Sequence, residues 1–214
     1  MTDDQRHDTS GADGTSGTGG PGGAADPALL DRHAQALGLF TDRVHAVRAD
    51  QWDAPTPCTE WTVRDLVAHL TGEQLWVPPL VRDGATTASV GDAFDGDVLG
   101  SDPVASWDTA AAASRAAFRA PGALDRTVHL SFGATSAAFY CGQMTTDLVV
   151  HAWDLSRAIG ADESLPAALV DFSVREVEPY AAELAGSGLF VAAVEPPSDA
   201  DAQTRLLALL GRRA

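Results

Sequence analysis

Lysine is absent from this 214-residue chain, so its formal positive charge comes from 14 arginines. Against 30 aspartates and glutamates, these arginines leave a formal net charge of −16. So acidic a surface repels the phosphates of nucleic acid and the headgroups of anionic lipids. We therefore expect neither nucleic acid nor a membrane surface as a partner.

Cysteines and long apolar runs are also scarce. The two cysteines, Cys58 and Cys141, are too few for a disulfide framework. No apolar run approaches the ~20 residues needed to span a bilayer. The N-terminus also lacks the basic and apolar regions of a signal peptide. These absences predict a cytoplasmic protein.

The composition changes near residue 26. Residues 1–26 are mostly Gly, Thr, Ser and Asp, which offer little to bury, and we predict a disordered tail. The chain as a whole is 45% hydrophobic, which is typical of a globular protein. We therefore predict that residues 27–214 form one helical bundle with a C-terminal helical extension.

Apolar periodicity and helix-capping residues predict the individual elements. Four long helices are expected over residues 27–48 (capped by Asp26), 62–76, 103–119 and 142–159. The second should end or kink at Pro78-Pro79, and Gly160 should end the fourth. An extended crossover or hairpin is predicted over 127–140. Further helices should cover 166–184 and then, capped by Ser198 or Asp199, run to Leu210. This is an all-α, four-helix-bundle architecture.

Two of the six histidines lie where they could bind a metal. Asp147 and His151 are four residues apart, hence on one face of the fourth helix. His69 borders the apolar stripe of the second helix and would supply a third ligand. Two histidines and a carboxylate suit zinc with an open position, and also iron, nickel or manganese. We interpret His33 and His45 as helix-surface residues, and His129 has no partner pattern nearby.

Spacing alone leaves other interpretations open. An aspartate and a histidine four residues apart are more often a surface ion pair or a buried histidine held by a carboxylate. On that interpretation the bundle holds no ion. Cys58 lies in a proline-bounded loop with no base beside it in the sequence, so we interpret it as structural. Trp61 and Trp153 are expected in the core. Asp154 could support a metal ligand from behind or pair with Arg64, and we favour the structural ion pair with Arg64.

Three longer motifs resemble those of a known protein superfamily. Residues 56–70 and 147–160 resemble the second-helix and fourth-helix signatures of the DinB-like superfamily. They are most similar to its actinobacterial branch, which is related to the metal-binding N-terminal domain of mycothiol-dependent maleylpyruvate isomerase. Residues 199–212 also resemble this branch. The motifs read TPCTEWTVRDLVAHL, DLVVHAWDLSRAIG and DADAQTRLLALLGR.

The resemblance implies a DinB-like four-helix bundle that holds one divalent ion, zinc first, through His69, Asp147 and His151. Family members often carry Glu at the place of Asp147. The implied activity is metal-dependent thiol chemistry, as an S-transferase or isomerase with mycothiol as co-substrate, a small-molecule electrophile as substrate and a homodimer as the assembly. The alternative is a metal-binding or stress-related interaction protein without turnover. The segment after Gly160 is shorter than the second domain of the isomerase, which argues against maleylpyruvate as the substrate.

Overall fold

A computed structural model describes residues 28–180 and 194–213 of the chain. It is mostly helical and contains one small sheet. In chain order the helices are α1 Leu29–His45, α2 Val63–Val77, α3 Thr87–Val90, α4 Pro103–Phe118, α5 Ala137–Ile159, α6 Ala167–Val177 and α7 Ala202–Leu209.

The bundle consists of α1, α2, α4 and α5. Helix α1 packs against α5, and α2 packs against α4. Helix α6 then covers α5, and α7 packs on α6. The predicted four-helix bundle with additional C-terminal helices is confirmed, and α5 is its most deeply buried member.

Short polar side chains set where these helices begin. The Thr62 hydroxyl accepts a hydrogen bond from the backbone of Asp65, whose carboxylate accepts one from the backbone of Thr62, so the predicted capping box is present. Asp102 caps α4, which starts with Pro103. Helix α5 ends at Gly160, whose φ of 70° lies in the left-handed region that glycine adopts without strain.

The extended segment before α5 is a hairpin. Strand β1 (Thr127–Leu130) pairs antiparallel with β2 (Gly133–Ser136). Helix α5 then begins five residues before the predicted residue 142, because the Ser136 hydroxyl accepts a hydrogen bond from the Phe139 backbone and caps the helix there. The hairpin prediction is confirmed, but its extension to residue 140 was wrong.

Other predicted boundaries also shift. Helix α1 ends at His45 rather than residue 48, and Asp26 lies outside the described residues. Helix α2 ends at Val77, and the chain continues through the two prolines as a wide π-helical turn, Pro78–Arg82. Helix α6 passes into a 3-10 turn, Glu178–Tyr180, and the remainder of that predicted helix falls outside the described residues. Asp201, rather than Ser198 or Asp199, caps α7.

The main core lies between α1, α2 and α5. Phe40, Leu66, Leu70, Leu148 and Trp153 are almost fully buried in it. This packing holds one face of α2 against one face of α5 and so fixes the relative positions of side chains on those helices. No helix within the described ranges is long and apolar enough to cross a membrane.

The candidate metal centre

The structure brings His69, Asp147 and His151 together between α2 and α5. His69 Nε2 lies 3.6 Å from Asp147 Oδ2, and His151 Nε2 lies 3.4 Å from Asp147 Oδ1. One ligand atom from each residue lies within 4.8 Å of the others. The contact between His151 and Asp147 arises within one helix, whereas His69 reaches them because α2 packs beside α5.

These distances suit a shared ion better than direct hydrogen bonds. An N–H···O hydrogen bond is normally about 2.7–3.2 Å long. Around a tetrahedral zinc ion with bonds of about 2.0–2.2 Å, neighbouring ligand atoms lie roughly 3.3–3.6 Å apart. The donor set of two imidazoles and one carboxylate fits a divalent ion in type, and its three ligand atoms lie within 4.8 Å of one another. That these residues bind an ion stays a prediction.

The other ring nitrogen of His151, Nδ1, already forms a hydrogen bond. Nδ1 lies 2.9 Å from Oδ2 of Asp154, and both side chains are buried. An ionised carboxylate can only accept, so Nδ1 carries a proton, and Nε2 is the ring nitrogen left to bind an ion beside Asp147 and His69. Histidine ligands of metal ions are commonly oriented in this way.

Arg212 supports this carboxylate from the C-terminal end of the chain. Its Nη2 donates to Asp154 Oδ2 at 2.9 Å. Burial alone raises the pKa of the Asp154 carboxyl, but the hydrogen bond from His151 and the charge of Arg212 outweigh burial and hold that pKa below its usual value. The predicted pairing of Asp154 with Arg64 is wrong, because Arg64 instead contacts Asp97 and the carbonyl of Gly100 on the surface.

Cys58 lies on the far side of the same histidine. Its Sγ is 3.4 Å from Asp154 Oδ2 and 3.8 Å from His151 Nδ1, so a base does lie beside it, contrary to what sequence proximity suggested. Burial, and then the charge of Asp154, raise the pKa of the Cys58 thiol to about 12. Cys58, His151 and Asp154 could also group around an ion. An ion bound there would need His151 Nδ1, which already forms a hydrogen bond with Asp154. The set of His69, Asp147 and His151 is therefore the better candidate for an ion site.

An open pocket of about 590 Å³ adjoins the centre on the side of His69. Glu73, one turn after His69 on α2, lines this pocket. Burial, and then the negative charge of Asp147, raise the pKa of the Glu73 carboxyl above its usual value. Burial lowers the pKa of His69, but the nearby carboxylates of Asp147 and then Glu73 raise it more, so the net shift is upward.

Sequence reasoning missed Glu73 and Arg212. The signal for Glu73 was available, because its four-residue spacing from His69 repeats that between Asp147 and His151. Arg212 ends the third motif, residues 199–212, but no local pattern paired it with Asp154. Trp153 is buried as predicted. Trp61 packs only partly against the core, and its ring centroid lies 4.9 Å from that of His69, so it also borders the centre.

Comparisons with known proteins agree with this fold. Two uncharacterized proteins, from two strains of Mycobacterium tuberculosis, are 35% identical to this chain over 142 residues, 62% of this chain and 68% of theirs. Crystal structures of mycothiol-dependent maleylpyruvate isomerase and a mutant of it match with TM-scores of 0.56 and 0.59. Both are 16% identical, and the matches cover 73% of this chain and 68% of theirs. This likeness shows a shared fold.

A family model described as the mycothiol maleylpyruvate isomerase N-terminal domain matches residues 33–156, more than half of the chain. The matched segment includes His69, Asp147, His151 and Asp154. The chain therefore belongs to the mycothiol maleylpyruvate isomerase N-terminal domain family.

Proposed function

We propose that this protein is a metal-dependent enzyme of thiol chemistry, which binds one divalent ion through His69, Asp147 and His151. The observation that carries the proposal is the orientation of His151. Its Nδ1 donates to the buried Asp154, so Nε2 is the nitrogen that faces Asp147 and is left to bind an ion.

A bound divalent ion would lower the pKa of a thiol or water, so that a nucleophile is available at neutral pH. The residues of this chain orient and enclose the reactants. His69 and Glu73 line the adjoining pocket, where an electrophile can approach. Glu73 is the carboxylate that we propose to accept the thiol proton. The family name supports mycothiol as the thiol, used either for S-transfer or for isomerisation.

The first test is elemental analysis of untagged protein, comparing the wild type with His151→Ala and Asp147→Ala. We expect about one equivalent of zinc, or of nickel, iron or manganese, in the wild type, and its loss in His151→Ala. His45→Ala is a matched control, because His45 also lies on a helix beside an aspartate, Asp108, but is exposed. Folded wild-type protein that takes up no divalent ion would refute the proposal.

The second test asks whether the metal-loaded protein turns over. Candidate electrophiles are incubated with mycothiol, and both the free thiol and the electrophile are followed. Consumption of thiol indicates transfer, whereas conversion of the electrophile with the thiol unchanged indicates isomerisation. Stable metal binding with neither outcome would favour the non-catalytic, metal-binding alternative.

A further inference from the structure

The pocket beside the candidate metal centre has an aromatic wall. Trp61, Trp76 and Phe94 all line it. The rings of Trp76 and Phe94 meet edge to face, with centroids 5.3 Å apart and an interplanar angle of 79°. All three residues are half-buried, so part of each remains accessible. The volume of about 590 Å³ falls within the usual range for small-molecule sites.

Apart from His69, the ionisable residues that line this pocket are acidic. Its lining includes the carboxylates of Glu60, Asp65 and Glu73, and no arginine is among the described residues that form it. The chain has no lysine. Arg64, although adjacent to Asp65 in sequence, is turned to Asp97. An anionic ligand would therefore meet negative charge and find no guanidinium to pair with.

A divalent ion at the centre does not reverse this sign. Asp147 and Glu73 together match the charge of such an ion, and Glu60 and Asp65 remain as additional negative charges at the rim. Accessible aromatic faces next to carboxylates form an environment that favours cations, since a cation is attracted both by the ring quadrupole and by the carboxylates.

We propose that this pocket binds a small organic cation, an ammonium or quaternary ammonium group on an apolar body, and excludes dicarboxylates. The inference extends the proposed function, because it assigns the charge of the substrate that approaches the metal-bound nucleophile. It also separates this protein from the enzyme named by its family, because maleylpyruvate is a dicarboxylate.

Equilibrium binding at pH 8 tests the inference without any turnover. The probes are choline, its uncharged isostere 3,3-dimethylbutan-1-ol, and fumarate, each titrated by calorimetry into metal-free and metal-loaded protein. We expect choline to bind at least about tenfold more tightly than the isostere, with fumarate weakest. Tighter binding of fumarate than of choline in either sample, or equal binding of choline and its isostere, would overturn the inference.

Two variants locate the binding. Glu73→Gln should reduce the preference for choline over the isostere by about fivefold or more, since it removes a charge but keeps the shape. Trp76→Leu should weaken both probes, and circular dichroism shows whether it folds. The matched control is Glu178→Gln, an exposed glutamate outside the pocket. A preference that Glu73→Gln leaves unchanged would place the cation elsewhere and refute this assignment.

The metal content of the same samples separates the two ideas. Choline binding by protein that takes up no metal would leave the inference standing and refute the proposed function. Metal uptake without a preference for choline would refute the inference and leave the proposed function standing.

Discussion

The carboxylate of Asp154 lies 2.9 Å from Nδ1 of His151 and is itself completely buried. It therefore accepts a hydrogen bond from one nitrogen of the imidazole while the other nitrogen faces Asp147. This hydrogen bond determines which ring nitrogen of His151 can bind an ion. It also predicts what should happen when the carboxylate is replaced.

Asp154→Asn should weaken divalent-metal binding by about 10–100-fold, although Asp154 contacts no ion itself. The asparagine amide can donate to Nδ1, which favours the tautomer whose proton sits on Nε2 and blocks the ligand lone pair. Competition titration with a chelator measures the affinity. Asp108→Asn changes an exposed aspartate beside His45 and should leave the affinity unchanged. Unchanged affinity in Asp154→Asn would show that Asp154 is structural only.

Cys58 should react slowly with thiol reagents in the folded protein. Burial and the charge of Asp154 raise its pKa to about 12, so little thiolate exists at pH 8. Asp154→Asn removes the negative charge and should speed labelling of Cys58 by iodoacetamide, followed by mass spectrometry. Cys58→Ser identifies the labelled position. Rapid labelling of the folded wild type would contradict the raised pKa.

His33 should make the protein sensitive to mild acid. The prediction that it lies on the surface was wrong, since it is 1% exposed and packs its ring edge to face on Phe118, 5.0 Å away. Burial, and then the charges of Arg115 and Arg119, lower its pKa from 6.5 to about 4. The unfolded chain therefore binds a proton that the folded chain does not. The stabilisation from neutral His33 is complete above pH 6.5 and is lost as pH falls toward about 4.

The expected slope from His33 is about 1.4 kcal/mol of unfolding free energy per pH unit within that window. His33→Leu should remove this component, so the wild type should lose stability relative to the variant as pH falls. Urea denaturation at several pH values measures both. Above pH 7 the unfolding free energies of the two proteins should differ by a constant amount. A difference that stays constant down to pH 4 would contradict the prediction.

Gln74→Leu should stabilise the protein by about 1–3 kcal/mol. Gln74 is fully buried on α2, and neither polar atom of its side chain has a hydrogen-bond partner among the described residues. Gln51→Leu is the matched comparison, because Gln51 is also buried but donates to the carbonyl of Ile159 and accepts from the Arg48 backbone. It should destabilise the protein by a similar amount. A destabilised Gln74→Leu would show that buried water satisfies Gln74.

Helix patterning predicted most of the bundle and selected three residues that the structure places close together, because residues four apart share a helix face. The burial of His33 could have been found in the same way, since it falls between Leu29 and Leu37 on the α1 stripe. The arginine that pairs with Asp154 could not have been found in this way. Arg64 and Arg212 both lie within motifs and both are far from Asp154 in the sequence, Arg212 by 58 residues, and apolar periodicity does not specify which arginine reaches a buried charge.

The family model matches the chain only as far as residue 156, yet Arg212 comes from well beyond it. A protein shortened to the matched segment would retain all three candidate ligands but would leave Asp154 buried without its cation. Such an uncompensated buried charge is costly, and the carboxylate would take up a proton or draw in water rather than hold His151 in place. The candidate site is therefore not a self-contained module of the bundle, and we expect removal of the C-terminal residues to disable it without changing a candidate ligand.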